Sequence, residues 1–505
     1  GMIIVKRTDT TADWQVYHRS NANTQYMVLN TVAAVATGTT RWNSITPTAS
    51  VFSLGTDATV NASGGTYVAY LFAHDTTTDG MIQCGSYTGT GTTAYQYVNL
   101  GWEPQYVLVK ASSGIGNWIV ADTMRGLTDA SSYSGAALYP NLSSSEATTL
   151  YDNINITATG FGITSSQNTP GTTYIYMAIR RPMKVPTDGT KVFYPLAVAQ
   201  ADLLDTSTVP FAPDLVNTFS RNGSMREDYN LFQMLDRLRG LGTPNNTYNQ
   251  SGPKLVPSGT SSETVANVYV QLKADSKNIT RGTGWSGSAF GSWINYFFKR
   301  ATGFFDVVCY TGTGETRTVN HNLGVAPELM IVKCRTISSY EWCIYSSSTG
   351  ATKSLIFTTT SASTQSYWNN TSPTASEFSL GASAAYPVND NGQTFVAYLF
   401  ASCPGVSKVG SYTGNGSSQT INCGFAAGAR FILIKRTDGG GAWYVWDTAS
   451  GFVSDNDPHL SINSTAVEVT SDDTIDPDSS GFVVNQVSAT NVNVNSASYI
   501  YLAIA

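Results

Sequence analysis

Charge is scarce in this sequence. Only 12% of its 505 residues are Asp, Glu, Lys or Arg, about half the share of an ordinary soluble domain. The 28 Lys and Arg against 34 Asp and Glu leave a net charge of -6. A nucleic-acid binder needs clustered basic residues to displace counterions, so that class is excluded. Long apolar runs are also missing: no stretch approaches the roughly 20 residues of a membrane span, and no basic segment followed by an apolar core opens the chain. Neither membrane insertion nor export through a signal peptide is expected. Six cysteines are too few for a disulfide scaffold, and none falls in a CxxC or Cys/His cluster. They are expected to be reduced, with Cys334 and Cys343 the nearest thing to a pair. The four histidines, His18, His74, His321 and His459, form no HExxH or i, i+4 pair, so no zinc site is expected. His321 is read as a turn cap. Helical periodicity is nearly absent; only Ser224 to Leu241, with Leu231, Leu235 and Leu238 at i, i+4 and i+7, predicts a short amphipathic helix.

What is present is polar, β-branched and aromatic. Short runs of Val, Ile, Tyr, Thr and Phe are bounded by Gly, Asn, Asp and Ser, the pattern of an all-β antiparallel sandwich. Length alone suggests three or four domains at roughly 150 residues each, but internal repeats give a finer division. Lys6, Lys110, Lys333 and Lys435 each follow an apolar triplet and precede an equivalent tryptophan, Trp14, Trp118, Trp342 and Trp443. Each repeat closes alike, as in Tyr67-Val68-Ala69-Tyr70, Phe395-Val396-Ala397-Tyr398 and Tyr499-Ile500-Tyr501-Leu502. Five such closures predict five repeats of roughly 100 residues: 1–80, 81–185, 186–303 (diverged), 304–404 and 405–505. The first pairs in subtype with the fourth, the second with the fifth. Three repeats open on Ser86-Tyr87-Thr88-Gly89, Cys309-Tyr310-Thr311-Gly312 or Ser411-Tyr412-Thr413-Gly414; the first lacks this signal, which predicts that the chain is the C-terminal part of a longer one.

Few constellations carry chemistry. Asp472, Asp473, Asp476 and Asp478, with Asp455 and Asp457 upstream, make the best candidate for a structural divalent cation, since hard cations want several loop carboxylates. They lack EF-hand spacing, and Asp-Asp and Asp-Pro are also ordinary turn formers. No phosphate-binding loop or nucleophile elbow is present, no catalytic residue is assigned and no other cofactor is expected. The four equivalent tryptophans are read as core. Trp42-Asn43 and Trp368-Asn369-Asn370 are less uniform: an aromatic beside an amide can stack on a sugar face while the amide holds a hydroxyl. They serve equally as core tryptophans followed by a polar turn, and both readings stand at this point.

The run Ala301 to Val308, then Tyr310-Thr311-Gly312, Asn322 to Glu328, and the fifth repeat from Val409 to Ala505 resemble the repetitive C-terminal region of tailed-bacteriophage tail fibre proteins. The resemblance covers nearly the whole chain and is weakest from Pro186 to Arg281. It implies a β-rich, homotrimeric virion tail protein, joined to the rest of the fibre and the baseplate, whose distal part binds host surface polysaccharide or another receptor without cleaving it. The competing readings are a polysaccharide-depolymerising tailspike and a bacterial multi-domain adhesin or carbohydrate-binding array. The apolar run Tyr499 to Ala505 needs cover, either inside its own sandwich or against two other copies about one axis.

Overall fold

In the computed structural model the residues described are all but 78–79, 130–136, 147–153, 182, 199–208, 223–231, 241–250, 268–269, 273–278, 282–291, 359 and 383–386. The chain is built of antiparallel strands in small sheets, all-β and sandwich-like. It divides into two compact units, Gly1–Pro182 and Met183–Ala505.

One strand order recurs. In the fifth repeat an opening strand, Ser407–Thr413, pairs with the closing strand Ser498–Ile504, which pairs with the lysine-bearing Phe431–Arg436, which pairs with the tryptophan-bearing Trp443–Asp447. The second repeat repeats this as Ile82–Thr88, Thr173–Arg180, Pro104–Ala111 and Ile119–Asp122. The fourth does so as Phe305–Thr311, Thr394–Phe400, Leu329–Cys334 and Cys343–Ser346. The diverged third uses Phe193–Val198, Trp293–Phe298, Leu215–Ser220 and Phe232–Asp236. The first repeat has only the last three places, with closing strand Tyr67–Phe72 at the sheet edge against Met2–Arg7.

These strands are apolar on both faces. In the fifth repeat one face, with Ile432, Ile434 and Trp446, packs under a small outer sheet carrying Ile421, Ile475, Phe482 and Val484. The opposite face lies against neighbouring repeats. In the first unit Met2, Ile4, Val16 and Met27 of one sheet share a core with Leu108, Trp118, Val120, Ile175 and Met177 of the next. In the second unit three sheets converge: Phe298 of the third repeat lies 5.8 Å from Phe400 of the fourth and 6.3 Å from Phe431 of the fifth, ring centre to ring centre. Burial of both faces explains why Ile432 to Ile434 and Val107 to Val109 read as unbroken apolar runs instead of alternating ones.

Polar groups follow the same seams. The indole N–H of Trp118 donates to the Val28 carbonyl of the preceding repeat at 2.9 Å, that of Trp443 to Ile356 at 2.9 Å, and that of Trp342 to Gly259 at 3.1 Å. Lys110, Lys333 and Lys435 are fully buried. Their ammonium groups donate to carbonyls of Ala111, Tyr340 and Gly441, and Lys333 also to Thr260 of the preceding repeat. Burial pulls all three down to about 8, because a desolvated ammonium is costly. In the second unit Tyr398 donates to Asp236 and Tyr296 to Asp447, each at 2.8 Å, so the fourth repeat is tied to the third and the third to the fifth.

Four sequence expectations are resolved here. The helix expected over Ser224 to Leu241 is not formed by its described part: Phe232–Asp236 is a strand and 237–240 a turn, while 224–231 and 241 lie outside the described residues. Leu235 serves a strand there and Leu238 the turn after it, because Phe232 to Asp236 pair with Leu215–Ser220 and are buried throughout. The closing strand Ser498–Ile504 is paired on both edges within its own sheet, and its side chains from Tyr499 to Ile504 are buried within this chain, without another copy. Cys334 and Cys343 are free and buried, as are Cys84, Cys403 and Cys423. Leu323 donates its N–H to His321 Nδ1 at 3.2 Å, the turn-capping role expected of that histidine.

Trp118→Ala removes both the largest side chain at the first seam and its bond to Val28. The expected loss is roughly 3 to 5 kcal/mol, read as faster hydrogen exchange in mild urea across Gln25–Val28 and Ile119–Asp122, with Lys353–Ile356 unchanged as the internal control.

Candidate functional site

Trp42 and Trp368 do not offer stacking faces. They are 1% and 0% exposed, each set edge-on against a tyrosine, Tyr17 at 6.0 Å and Tyr345 at 5.9 Å. The sugar-stacking expectation is therefore corrected for both rings. Each plugs the core under its sheet. The chain then turns sharply through left-handed residues: Asn43 and Ser44 at φ 51 and 53°, Asn369 and Asn370 at φ 52 and 50°. Asparagine tolerates that conformation by bonding locally, which accounts for the Trp-Asn spelling. The amides of Asn43, Asn369 and Asn370 remain on the surface.

An exposed aromatic in a pair of rings does exist, elsewhere. In the second repeat the outer sheet comprises Ile154–Thr157, Gly160–Ile163 and Gln96–Asn99. Its register places Asn155, Gly162 and Tyr97 in one row across the three strands. Phe161, Ile156 and Ile163 face inward and are buried, so the alternation of a strand puts Tyr97 outward, where it is 61% exposed. Tyr95 lies beside it, ring centres 6.3 Å apart and planes tilted by 32°. Gly162 keeps the row open: a Cβ there would meet the Asn155 side chain and both tyrosine rings, at 2.9 Å for Tyr97 and 3.1 Å for Tyr95. The result is a shallow platform of two phenol rings, Tyr97 exposed and Tyr95 half-buried, laid over the buried Asn155 side chain and able to stack on an apolar face. The signal for it in the sequence is the Tyr95-Gln96-Tyr97 alternation together with a glycine on the strand paired beside it.

The acidic loop of the fifth repeat is a hydrogen-bonded turn system. Asp478 accepts from the N–H and hydroxyl of Ser480 at 2.8 and 2.6 Å, which holds its carboxyl below the usual range. Asn485 donates to Asp476 at 2.8 Å and to Asp473 at 3.4 Å. Asp472 accepts from Thr474 at 3.2 Å and lies 3.3 Å from His459 Nδ1. Among the described residues no three His, Cys, Asp or Glu side chains are grouped so as to hold a metal ion. The group that stands out is Asp457, wholly buried, with Oδ2 accepting the Ile475 N–H at 2.7 Å. Burial first, and then the carboxylates of Asp476, Asp473 and Asp472, push it up to about 7.

A carboxyl raised in the folded state takes up a proton that the unfolded chain does not, so its contribution to stability is lost as pH rises from about 4 through 7. His459, lowered by burial, works in the opposite direction below pH 6.5. Asp457→Asn keeps the acceptor and removes the charge. It is expected to raise the stability of the fifth repeat on the order of 2 kcal/mol at pH 8, shrinking toward zero at pH 4, as urea midpoints across that range will show.

No curated protein matches this chain. A family model does: one described as a domain of unknown function, DUF7483, matches residues 1–181 and 282–505, the stretches that hold the first two and last two repeats. The chain belongs to the DUF7483 family.

Proposed function

We propose that the chain is the receptor-binding region of a tailed-phage tail fibre, carried on the virion tail, which attaches to host surface polysaccharide without cleaving it. The observation that carries this reading is the outward pair of rings, Tyr95 and Tyr97, on an all-β array of tandem repeats. Polysaccharides present repeated, uncharged apolar faces with hydroxyls around them, and a weakly charged surface with rings and amides is suited to them. Single contacts of this kind are weak. A homotrimer, which joins the remainder of the fibre and the baseplate in this proposal, multiplies them through effective concentration.

Two measurements test the proposal. Light scattering behind size exclusion is expected to give a mass about three times 54.0 kDa; a monomer removes the trimeric part. Tyr97→Ala is expected to weaken binding to purified capsule or lipopolysaccharide about tenfold per site, the loss of roughly 1 to 1.5 kcal/mol of ring contact, while the circular dichroism spectrum is unchanged. No reducing ends should appear on incubation with the polysaccharide, and their release would point instead to a depolymerase.

A further inference from the structure

The first repeat differs from its siblings at one edge. In the second, fourth and fifth repeats the closing strand is paired on both sides. In the first, Tyr67–Phe72 pairs with Met2–Arg7 alone, and no other described strand occupies its second edge. The sequence is not the cause. Val68 to Phe72 and Val396 to Phe400 are both Val-Ala-Tyr-Leu-Phe, yet Tyr70 and Leu71 are 47% and 62% exposed while Tyr398 and Leu399 are 0%. An unpaired strand edge with apolar side chains is a template for another strand.

The sibling repeats specify what fits. Each opening strand carries a tyrosine opposite the first aromatic of the closing strand: Tyr87 on Tyr174, Tyr310 on Phe395, Tyr412 on Tyr499. These rings stack at 5.0, 5.2 and 4.9 Å, within 14° of parallel. The hydroxyl of each incoming tyrosine donates to a backbone carbonyl, of Gln167, Val388 and Val492 respectively. Tyr67 holds the receiving place. Its hydroxyl donates to Ala58 and accepts from the Ala62 N–H, as Tyr499 does with Asn491 and Val494, but among the described residues no ring lies stacked upon it.

A second position sets selectivity. Where the closing strand has Tyr176 or Tyr501, the opening strand has Gly85 or Gly410, and a Cβ there would run into the tyrosine ring. Where the closing strand has Ala397, the opening strand carries the β-branched Val308. The first repeat has Ala69 at this place.

We propose that the free edge of Tyr67–Phe72 is a strand acceptor. It takes up one extended polypeptide segment from outside residues 1–505, antiparallel, with a tyrosine stacked on Tyr67 and a β-branched residue opposite Ala69. Backbone hydrogen bonds supply the affinity of such strand addition, and the alternate side chains supply its selectivity. The inference stands apart from the receptor-binding reading, since it rests only on strand pairing.

The test uses the full chain and a capped synthetic peptide of residues 304–313, which carries the opening strand of the fourth repeat. The expected result is one-to-one binding by calorimetry, with slowed amide exchange confined to 67–72. Replacing the peptide's tyrosine by alanine should weaken binding at least tenfold. In the chain, Ala69→Tyr, with an unchanged circular dichroism spectrum, should reverse the preference, weakening this peptide and admitting one of residues 406–415, whose Gly410 makes room for the ring. Absence of binding overturns the proposal, as does binding indifferent to the peptide tyrosine or exchange protection elsewhere. A dimer formed through Tyr67–Phe72 that the peptide does not displace assigns the edge to a second copy and overturns it too.

Discussion

Everything in this protein depends on sheets that are apolar on both faces. A lone two-layer repeat covers only one of them, with its outer sheet or, in the first repeat, with the turn carrying Trp42 and the short helix Ala58–Asn61 carrying Val60. The other face must be covered by a neighbour. At roughly 25 cal/mol per Å2 of apolar surface, leaving such a face in water costs more than a small repeat can supply. Tandem arrangement is therefore a condition of folding here, as in other repeat proteins whose units contact mainly their neighbours.

The seams are specified by groups that are expensive to misplace. An indole N–H, a buried ammonium or a buried carboxyl must find its partner or carry a desolvation penalty. Arg239, fully buried, bonds Asp236 at 2.5 Å, Glu263 at 2.9 Å and Tyr398 at 2.9 Å, so a single guanidinium ties the third and fourth repeats. Arg221 pairs with Glu468 at 2.8 Å across the third and fifth. Apolar packing holds the three sheets together, and these polar pairs select one registration of sheet on sheet. The third repeat carries much of this wiring: its Asp236–Arg239 pair has a counterpart in Asp122–Arg125 of the second repeat, but here the guanidinium is fully buried and reaches the fourth repeat.

The all-β class and the core places of Trp118, Trp342 and Trp443 were legible in the sequence because strand ends and turn residues recur at fixed intervals; their counterpart Trp14, read as core too, is only half-buried. The faces were harder. Ile-Leu-Ile-Lys and its relatives are continuous apolar runs, a sign of two covered faces, but a run alone does not say what covers the second one. Trp42 and Trp368 illustrate the same limit: a tryptophan before asparagine reads as a surface platform until the left-handed turn at Asn43 and Asn369 shows the ring pointing inward. Tyr97 was passed over because its neighbours in the site, Asn155 and Gly162, are distant in sequence and meet it only through strand register. The helix expected around Leu235 failed for a related reason, since Leu235 sits in a fully buried strand and Leu238 in the turn that follows it, a fit that leucine spacing alone does not distinguish from a helix.

The repeat-marking lysines have a practical bearing on handling the folded protein. Lys110, Lys333 and Lys435 lie out of solvent at three seams. An amine-reactive dye or biotin reagent will decorate the surface lysines and leave these three untouched for as long as the sheets stay together. Their acylation then becomes a clock for the opening of individual seams, readable by mass spectrometry one repeat at a time.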